Sequence, residues 1–150
     1  MLPRVVSTIL FCASFLLAQP YDLSTPQSSV KAYYKALNTA DISLLQTVMM
    51  PDSFDTDMQV YALSIALKDK TFHEQLKAYS KNTQAKKIVL KKVEEKLKHR
   101  PARSIEIDKV ILLGEERVMV QFHEDGKKKQ LYLSQRNEQW FIDYLAGRKR

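Results

Sequence analysis

Residues 104–145 decide the fold of this chain, and they read SIEIDKVILLGEERVMVQFHEDGKKKQLYLSQRNEQWFIDYL. Four segments of this stretch alternate apolar and polar side chains with a period of two, which predicts strands that bury one face. Short connections separate the segments, and Asp125-Gly126 supplies the positive φ that a tight hairpin turn requires. Strands joined by short connections are antiparallel neighbours. The stretch therefore predicts a four-stranded antiparallel meander.

The chain ahead of this sheet has the patterns of helices. Thr25-Pro26 is typical of an N-cap followed by the first residue of a helix, and Asp41 is typical of a second N-cap. Pro51 is expected to end the second helix, because a residue that precedes proline is pushed out of the helical region.

A third helix is expected to begin at Asp57, and Thr71 with Glu74 has the pattern of a capping box. Whether residues 57–80 form one kinked helix or two short helices stays open. The last helix is predicted over residues 84–98. The sequence thus predicts an α+β fold, in which N-terminal helices pack on one face of a curved four-stranded antiparallel meander.

The first 18 residues have the form of a secretory signal peptide. Arg4 gives a basic start, residues 5–17 carry no charge, and Ala18 offers a small residue for cleavage. Cys12 follows the bulky Phe11, which departs from the pattern of lipoprotein signals, so lipidation is not expected. We therefore expect an exported chain, secreted or periplasmic, cleaved near Ala18, with residues 19–150 forming one domain without cysteine.

Several short motifs resemble the nuclear transport factor 2-like superfamily, whose cystatin-like α+β fold is shaped like a cone. The resemblance is carried by Thr25-Pro26, by residues 30–37 (VKAYYKAL), by Ala40-Asp41 and by residues 139–143 (QWFID). The chain is most similar to small exported bacterial members. The resemblance implies a cone between helices and sheet, a place where related proteins hold ligands or carry out catalysis.

The aromatic side chains on the predicted inner faces are candidates to line such a cone. An equally simple interpretation makes them ordinary core residues, because cores are built from stripes of this kind. The candidate pocket residues are Tyr33, Tyr34, Tyr61, Phe122, Leu133, Trp140 and Tyr144.

The sequence offers no catalytic, metal or cofactor motif. Asp143 and Asp108 alternate away from the apolar face and are expected to point to solvent, so no acid–base pair is predicted. The three histidines have no second ligand at metal-binding spacing, and no serine lies in a nucleophile turn. Adjacent acids are expected to be solvated, at residues 94–95, 115–116 and 124–125.

Positive charge is concentrated between residues 81 and 103, where nine Lys or Arg meet two Glu, a net charge of +7. Such a segment favours anionic partners: acidic phospholipid headgroups, cell-wall polymers or an acidic protein face. Nucleic acid is not expected, because no aromatic side chain interrupts the run. The alternative is a solvated helix face with Lys91–Glu95 and Glu94–Lys98 pairs. The candidate residues are Lys86, Lys87, Lys91, Lys92, Lys98, Arg100 and Arg103.

These observations predict a non-catalytic binding domain, which holds a small apolar ligand in the cone or a protein partner in the cell envelope. The first alternative is association of the basic helix, residues 84–103, with an anionic envelope surface. The second is a small isomerase-like or hydrolase-like enzyme. The exposed face of the sheet, with Met119, Tyr132 and Phe141, is a candidate homodimer surface.

Overall fold

The computed structural model of the chain describes residues 21–148, so the expected signal peptide lies outside the described residues. Within this range the helices precede the strands in sequence. The helices are α1 (Pro26–Thr39), α2 (Ile42–Val48), α3 (Pro51–Ala66), α4 (Lys70–Lys77) and α5 (Thr83–Lys98). The strands are β1 (Ile105–Gly114), β2 (Arg117–Glu124), β3 (Lys127–Arg136) and β4 (Gln139–Ile142).

The strands form one antiparallel sheet in the order β1-β2-β3-β4, which confirms the predicted meander. Val120 at its centre pairs with Val110 on one side and with Leu131 on the other. The β2–β3 hairpin turns at Asp125 and Gly126, whose φ angles are 48° and 80°. The turn thus uses the left-handed region that Asp-Gly adopts readily.

The helices cover one face of this sheet, and the sheet is not closed into a barrel. The covered side chains of the sheet are fully or almost fully buried: Val118, Val120, Phe122, Leu133, Trp140 and Ile142. Strand β4 also forms backbone hydrogen bonds with the segment before α1 and with the segment before α3. The Trp140 amide donates to the Leu23 carbonyl at 2.9 Å, and the Met50 amide donates to the Ile142 carbonyl at 2.8 Å. The α+β class predicted from the sequence is confirmed.

Two of the predicted helix starts are confirmed. The Thr25 side chain accepts a hydrogen bond from the Ser28 amide and caps α1, with Pro26 at the first helical position. The Asp41 side chain accepts from the Leu44 amide and caps α2. Both side chains satisfy amide groups that the first turn of a helix leaves without a partner.

Two other boundaries were predicted wrongly. Helix α3 begins at Pro51 and not at Asp57, because proline at the first helical position sacrifices no hydrogen bond. The stretch 57–80 contains the end of α3 and all of α4, so it is two helices. Helix α4 is capped by Asp69, whose side chain accepts from the Phe72 amide, so the predicted capping box at Thr71 does not start it.

The start of α5 lies one residue before the predicted position 84. The Asn82 side chain caps this helix by accepting from the Gln84 and Ala85 amides, so Thr83 is its first residue. None of the helices found between residues 21 and 148 is long and apolar enough to span a lipid bilayer.

Candidate functional site

A first polar network joins α1, α3 and the turn after β4 inside the layer between helices and sheet. The Tyr33 hydroxyl donates to the Asp57 carboxylate at 2.8 Å and lies 3.3 Å from the Tyr144 hydroxyl. The backbone of Tyr144 is fixed as well, because its amide donates to the Ser53 hydroxyl at 3.0 Å. Helix α3 is therefore linked to the turn after β4 through Ser53 and to α1 through Asp57.

Burial sets the protonation behaviour of this network. It raises the pKa of the Asp57 carboxyl above its ordinary value, and the hydroxyls of Tyr144 and Tyr33 oppose part of this shift. Burial also raises the pKa of Tyr33 and of Tyr144, and the nearby Asp57 charge adds to both shifts. The tyrosines therefore keep their protons and act as donors, and Asp57 acts as the acceptor.

A second network surrounds Glu124, the last residue of β2. The Tyr34 hydroxyl donates to one Glu124 oxygen at 2.9 Å. Arg103 Nη1 lies 3.4 Å from the other oxygen, and Arg100 Nη2 lies 3.6 Å from the first. Glu124 is only 8% exposed. The prediction that Glu124 is solvated was therefore wrong, although its neighbour Asp125 is exposed.

The alternation of β2 explains why Glu124 is buried. Val118, Val120 and Phe122 face the helices, and Glu124 is the next residue with the same parity. Arginine reaches it from the loop between α5 and β1, whose position is fixed by Asn38. The Asn38 side-chain amide donates to the Arg103 carbonyl at 2.9 Å, and its oxygen accepts from the Arg103 amide at 3.0 Å.

Tyr61 lies between the two networks. Burial raises the pKa of its hydroxyl, and Asp57, Arg100 and Glu124 all act on it electrostatically. Tyr61 is nevertheless only half-buried, and no hydrogen bond joins its hydroxyl to another residue in the range 21–148. Its hydroxyl is thus a polar group beside both networks that no described residue binds.

Two guanidinium nitrogens close to Glu124 are buried without an acceptor among the residues that the structure describes. They are Arg100 Nη1 and Arg103 Nε. A buried donor without a partner is unfavourable by about 1–3 kcal/mol, and more when the group is charged. An acceptor that reached these donors would therefore be bound more strongly than an acceptor at the surface.

The structure separates the candidate pocket residues into two groups. The tyrosines Tyr33, Tyr34, Tyr61 and Tyr144 belong to the networks described above. Phe122, Leu133 and Trp140 are core residues, 1%, 0% and 9% exposed. Tyr34 joins the groups, because its ring packs edge-on against both Tyr33 and Phe122 with centroids 5.5 Å apart. The two are therefore parts of one packed interior.

The two grooves found at the ends of the sheet lie elsewhere. A groove of about 1020 Å³ is lined by Asp52, Glu115, Arg117, Arg136 and Asp143, among others. A smaller concavity of about 500 Å³ lies beside Asp108 and His123. Both are open and polar, and neither is lined by a candidate pocket residue.

The basic residues predicted to bind anionic surfaces do not form one uniform face. Lys86 bonds to Asp55 at 3.1 Å and lies 5.2 Å from the centre of the Tyr79 ring. Lys98 pairs with Glu94 at 2.6 Å, as predicted, whereas Glu95 pairs with Lys92 at 3.7 Å and not with Lys91.

The other four residues predicted to bind anionic surfaces take no part in those ion pairs. Arg100 and Arg103 turn inward to Glu124. Lys87 and Lys91 are exposed, one turn apart on α5, and no described acidic group lies within 4 Å of either.

Two acids on the outer side of the sheet, Asp143 and Asp108, have partners. The Ser134 hydroxyl donates to Asp143 at 2.5 Å, and Asp108 lies 3.2 Å from His123 Nδ1. Residues 21–148 contain no group of three or more His, Cys, Asp or Glu placed to hold a metal ion.

Sequence reasoning identified the tyrosines of this site but not its carboxylates. Glu124 could have been found by extending the alternation of β2 by two residues. Asp57 could have been found by extending the apolar spacing of α3 back from Met58 to the buried Phe54. The contact of Arg100 with Glu124 had no signal in the sequence, since it depends on tertiary packing. No protein-family model, curated protein or solved structure matches this chain.

Proposed function

We propose that this chain is a non-catalytic binding domain of the nuclear transport factor 2-like kind, exported to the cell envelope. Its ligand is a small, largely apolar molecule that carries one hydrogen-bond acceptor. The ligand enters beside Tyr61, between α3 and the loop that follows α5. The apolar body packs on the Tyr61 ring, and the acceptor approaches the Tyr61 hydroxyl and the arginines behind it.

The observation that carries this proposal is the half-buried Tyr61 beside two buried guanidinium nitrogens without an acceptor. The rest of the interior is already satisfied, since Tyr33 and Tyr34 both donate to carboxylates. One helical turn after Tyr61 on α3 lies Ile65, an apolar side chain that is partly buried against the core. An amphipathic ligand meets both kinds of surface.

A fluorescent probe of matching chemistry tests the proposal. 8-Anilinonaphthalene-1-sulfonate has an aromatic body and an anionic acceptor, so the folded chain should bind it saturably, one probe per chain. Tyr61→Ala should weaken binding about tenfold or more, because it removes the ring that the probe packs on. Thermal melting of the variant checks that the fold is retained.

Leu63→Ser is the matched control, because it removes an exposed apolar side chain, 49% exposed, from the same helix, where it lies two residues from Tyr61 and so on another side. It should leave the probe affinity unchanged. Probe binding that does not saturate, or that Tyr61→Ala leaves intact, would refute the ligand site.

A second candidate function is favoured by the unpaired lysines of α5. Lys87 and Lys91 offer two positive charges on one face, and the whole chain carries a net charge of +7. On vesicles of phosphatidylglycerol and phosphatidylcholine, retention should fall as salt rises. Lys87→Glu with Lys91→Glu should weaken retention about tenfold or more.

The control for that experiment is Lys31→Glu with Lys35→Glu, two exposed lysines of α1, which changes the net charge by the same amount. Equal losses for the two double variants would show attraction to the net charge alone and no binding face on α5.

A further inference from the structure

Strand β1 is an edge strand with a free side. It pairs with β2 along residues 105–114, and no backbone hydrogen bond joins it to any other described segment. A strand in this position presents a row of N–H and C=O groups that another strand can pair with. Its length of 10 residues is long for an edge, since natural edge strands are usually kept short.

The outer end of this strand is also apolar. Leu112 is 78% exposed and Leu113 is 38% exposed, although both lie in a strand of a folded domain. The paired neighbour of Leu112 in β2, Val118, is 1% exposed. The helical layer therefore covers β2 but ends before it covers the end of β1.

The pairing with β2 shows which side chains of β1 share a face. Ile105 and Ile107 oppose inner-face residues of β2, as do Val110 and Leu112. The register shifts between Ile107 and Lys109, so the inner face changes from odd to even residue numbers at this bulge.

The outer face of β1 carries its charged side chains. Glu106 and Lys109 oppose His123 and Gln121, which point away from the helices. Asp108, at the bulge, is on the same side, since it lies 3.2 Å from His123 Nδ1. The bulge thus places Asp108 and Lys109, adjacent in sequence, on one face with opposite charges.

This arrangement is complementary to itself. Antiparallel pairing of two β1 edges about a two-fold axis between residues 108 and 109 sets Asp108 opposite Lys109 of the second copy, twice. It also sets Ile107 opposite Val110 and Ile105 opposite Leu112, which are inner-face residues in both copies. A shift of one residue would place inner-face side chains opposite outer-face ones, because the side-chain period of a strand is two.

We propose that two copies of this chain associate through their β1 edges in this register and form one continuous eight-stranded sheet. The contact covers Leu112 with Ile105 of the second copy and joins two Asp108–Lys109 pairs across the two-fold axis. It differs from a dimer through the outer sheet face. That face is partly covered in the monomer, since a Cβ atom added at Gly147 would lie 2.7 Å from the Tyr132 ring.

Charge reversal tests the register directly. Lys109→Glu sets Asp108 opposite a glutamate, and Asp108→Lys sets Lys109 opposite a lysine, so each variant should dimerise about tenfold or more weakly than the natural chain. An equimolar mixture of the two variants restores both attractive pairs and should dimerise as well as the natural chain. The doubly reversed chain should also dimerise. Sedimentation velocity at physiological ionic strength measures all four.

The control is Lys31→Glu, which changes the net charge as Lys109→Glu does but lies on α1. It should leave dimerisation unchanged or slightly favoured, because the chain carries a net charge of +7 and copies repel each other. The proposal is overturned by a natural chain that stays monomeric up to its solubility limit. It is equally overturned by a dimer that neither reversal weakens, or by reversed variants that fail to associate when mixed.

Discussion

Two carboxyl groups lie inside the layer between helices and sheet, and their surroundings differ. Glu124 has two guanidinium groups within 4 Å. Asp57 has tyrosine hydroxyls as neighbours, and no cation forms an ion pair with it within residues 21–148. A buried carboxyl without a cation favours its protonated form, which is why burial dominates the pKa of Asp57.

This difference predicts a pH dependence for Asp57. Its pKa is raised in the folded chain above the ordinary value of 3.8, so the folded state keeps a proton that the unfolded state has lost. The stability that Asp57 contributes is therefore fully present below its unfolded pKa and is lost as pH rises through its folded pKa. Asp57→Asn cannot ionise, so the free energy of unfolding of the variant minus that of the natural chain should increase across this range.

Urea denaturation of both chains at intervals from acid to neutral pH measures that difference. Glu106→Gln, at an exposed acid of the sheet, is the control for the loss of one carboxyl group. A difference for Asp57→Asn that falls as pH rises would mean that the tyrosine hydrogen bonds, and not burial, dominate this carboxyl.

The sequence predicts which residues of the site face inward, but it does not predict their partners. Tyr33, Tyr34, Tyr61 and Tyr144 were predictable as inward-facing, because helix and strand periodicity places them there. Their partners were not predictable, because no periodicity relates a loop arginine to a strand glutamate. Arg100 and Arg103 were placed on a basic surface for this reason, since charge runs on helices are usually solvated.

At the scale of elements, the strands were predictable to within a few residues and the middle helices were not. A two-residue turn joins each strand to the next, and turn chemistry at Asp125-Gly126 is local. The α3–α4 region offers several competing starts, because Pro51, Asp57, Asp69 and Thr71 all match a helix N-terminus. Packing of Phe72 into the core selects Asp69 as the cap.

The cap of α4 predicts different effects of alanine substitution at Asp69 and at Thr71. Asp69→Ala should lower the free energy of unfolding by about 1 kcal/mol, because the Phe72 amide loses its acceptor. Thr71→Ala should be neutral or slightly stabilising, because Thr71 is exposed inside the helix and alanine is the better helix former. Urea denaturation of the two variants measures this, and a larger loss for Thr71→Ala would contradict the assigned cap.

Across the whole molecule, the helical layer covers the inner face of the sheet. Both polar networks lie in that layer, and Leu112 is exposed because the layer stops short of the end of β1. The layer was predictable, since the apolar face of the sheet needs a cover and only the preceding helices can supply it.

The most direct test of that layer is the fluorescence of Trp140, the single tryptophan of the chain, which lies on the inner face and is 9% exposed. In the folded chain its emission should be blue-shifted relative to the urea-unfolded chain and protected from acrylamide. Both properties should disappear together with the helical circular dichroism. A folded chain with full helix content whose Trp140 emits and is quenched like the unfolded chain would contradict the account.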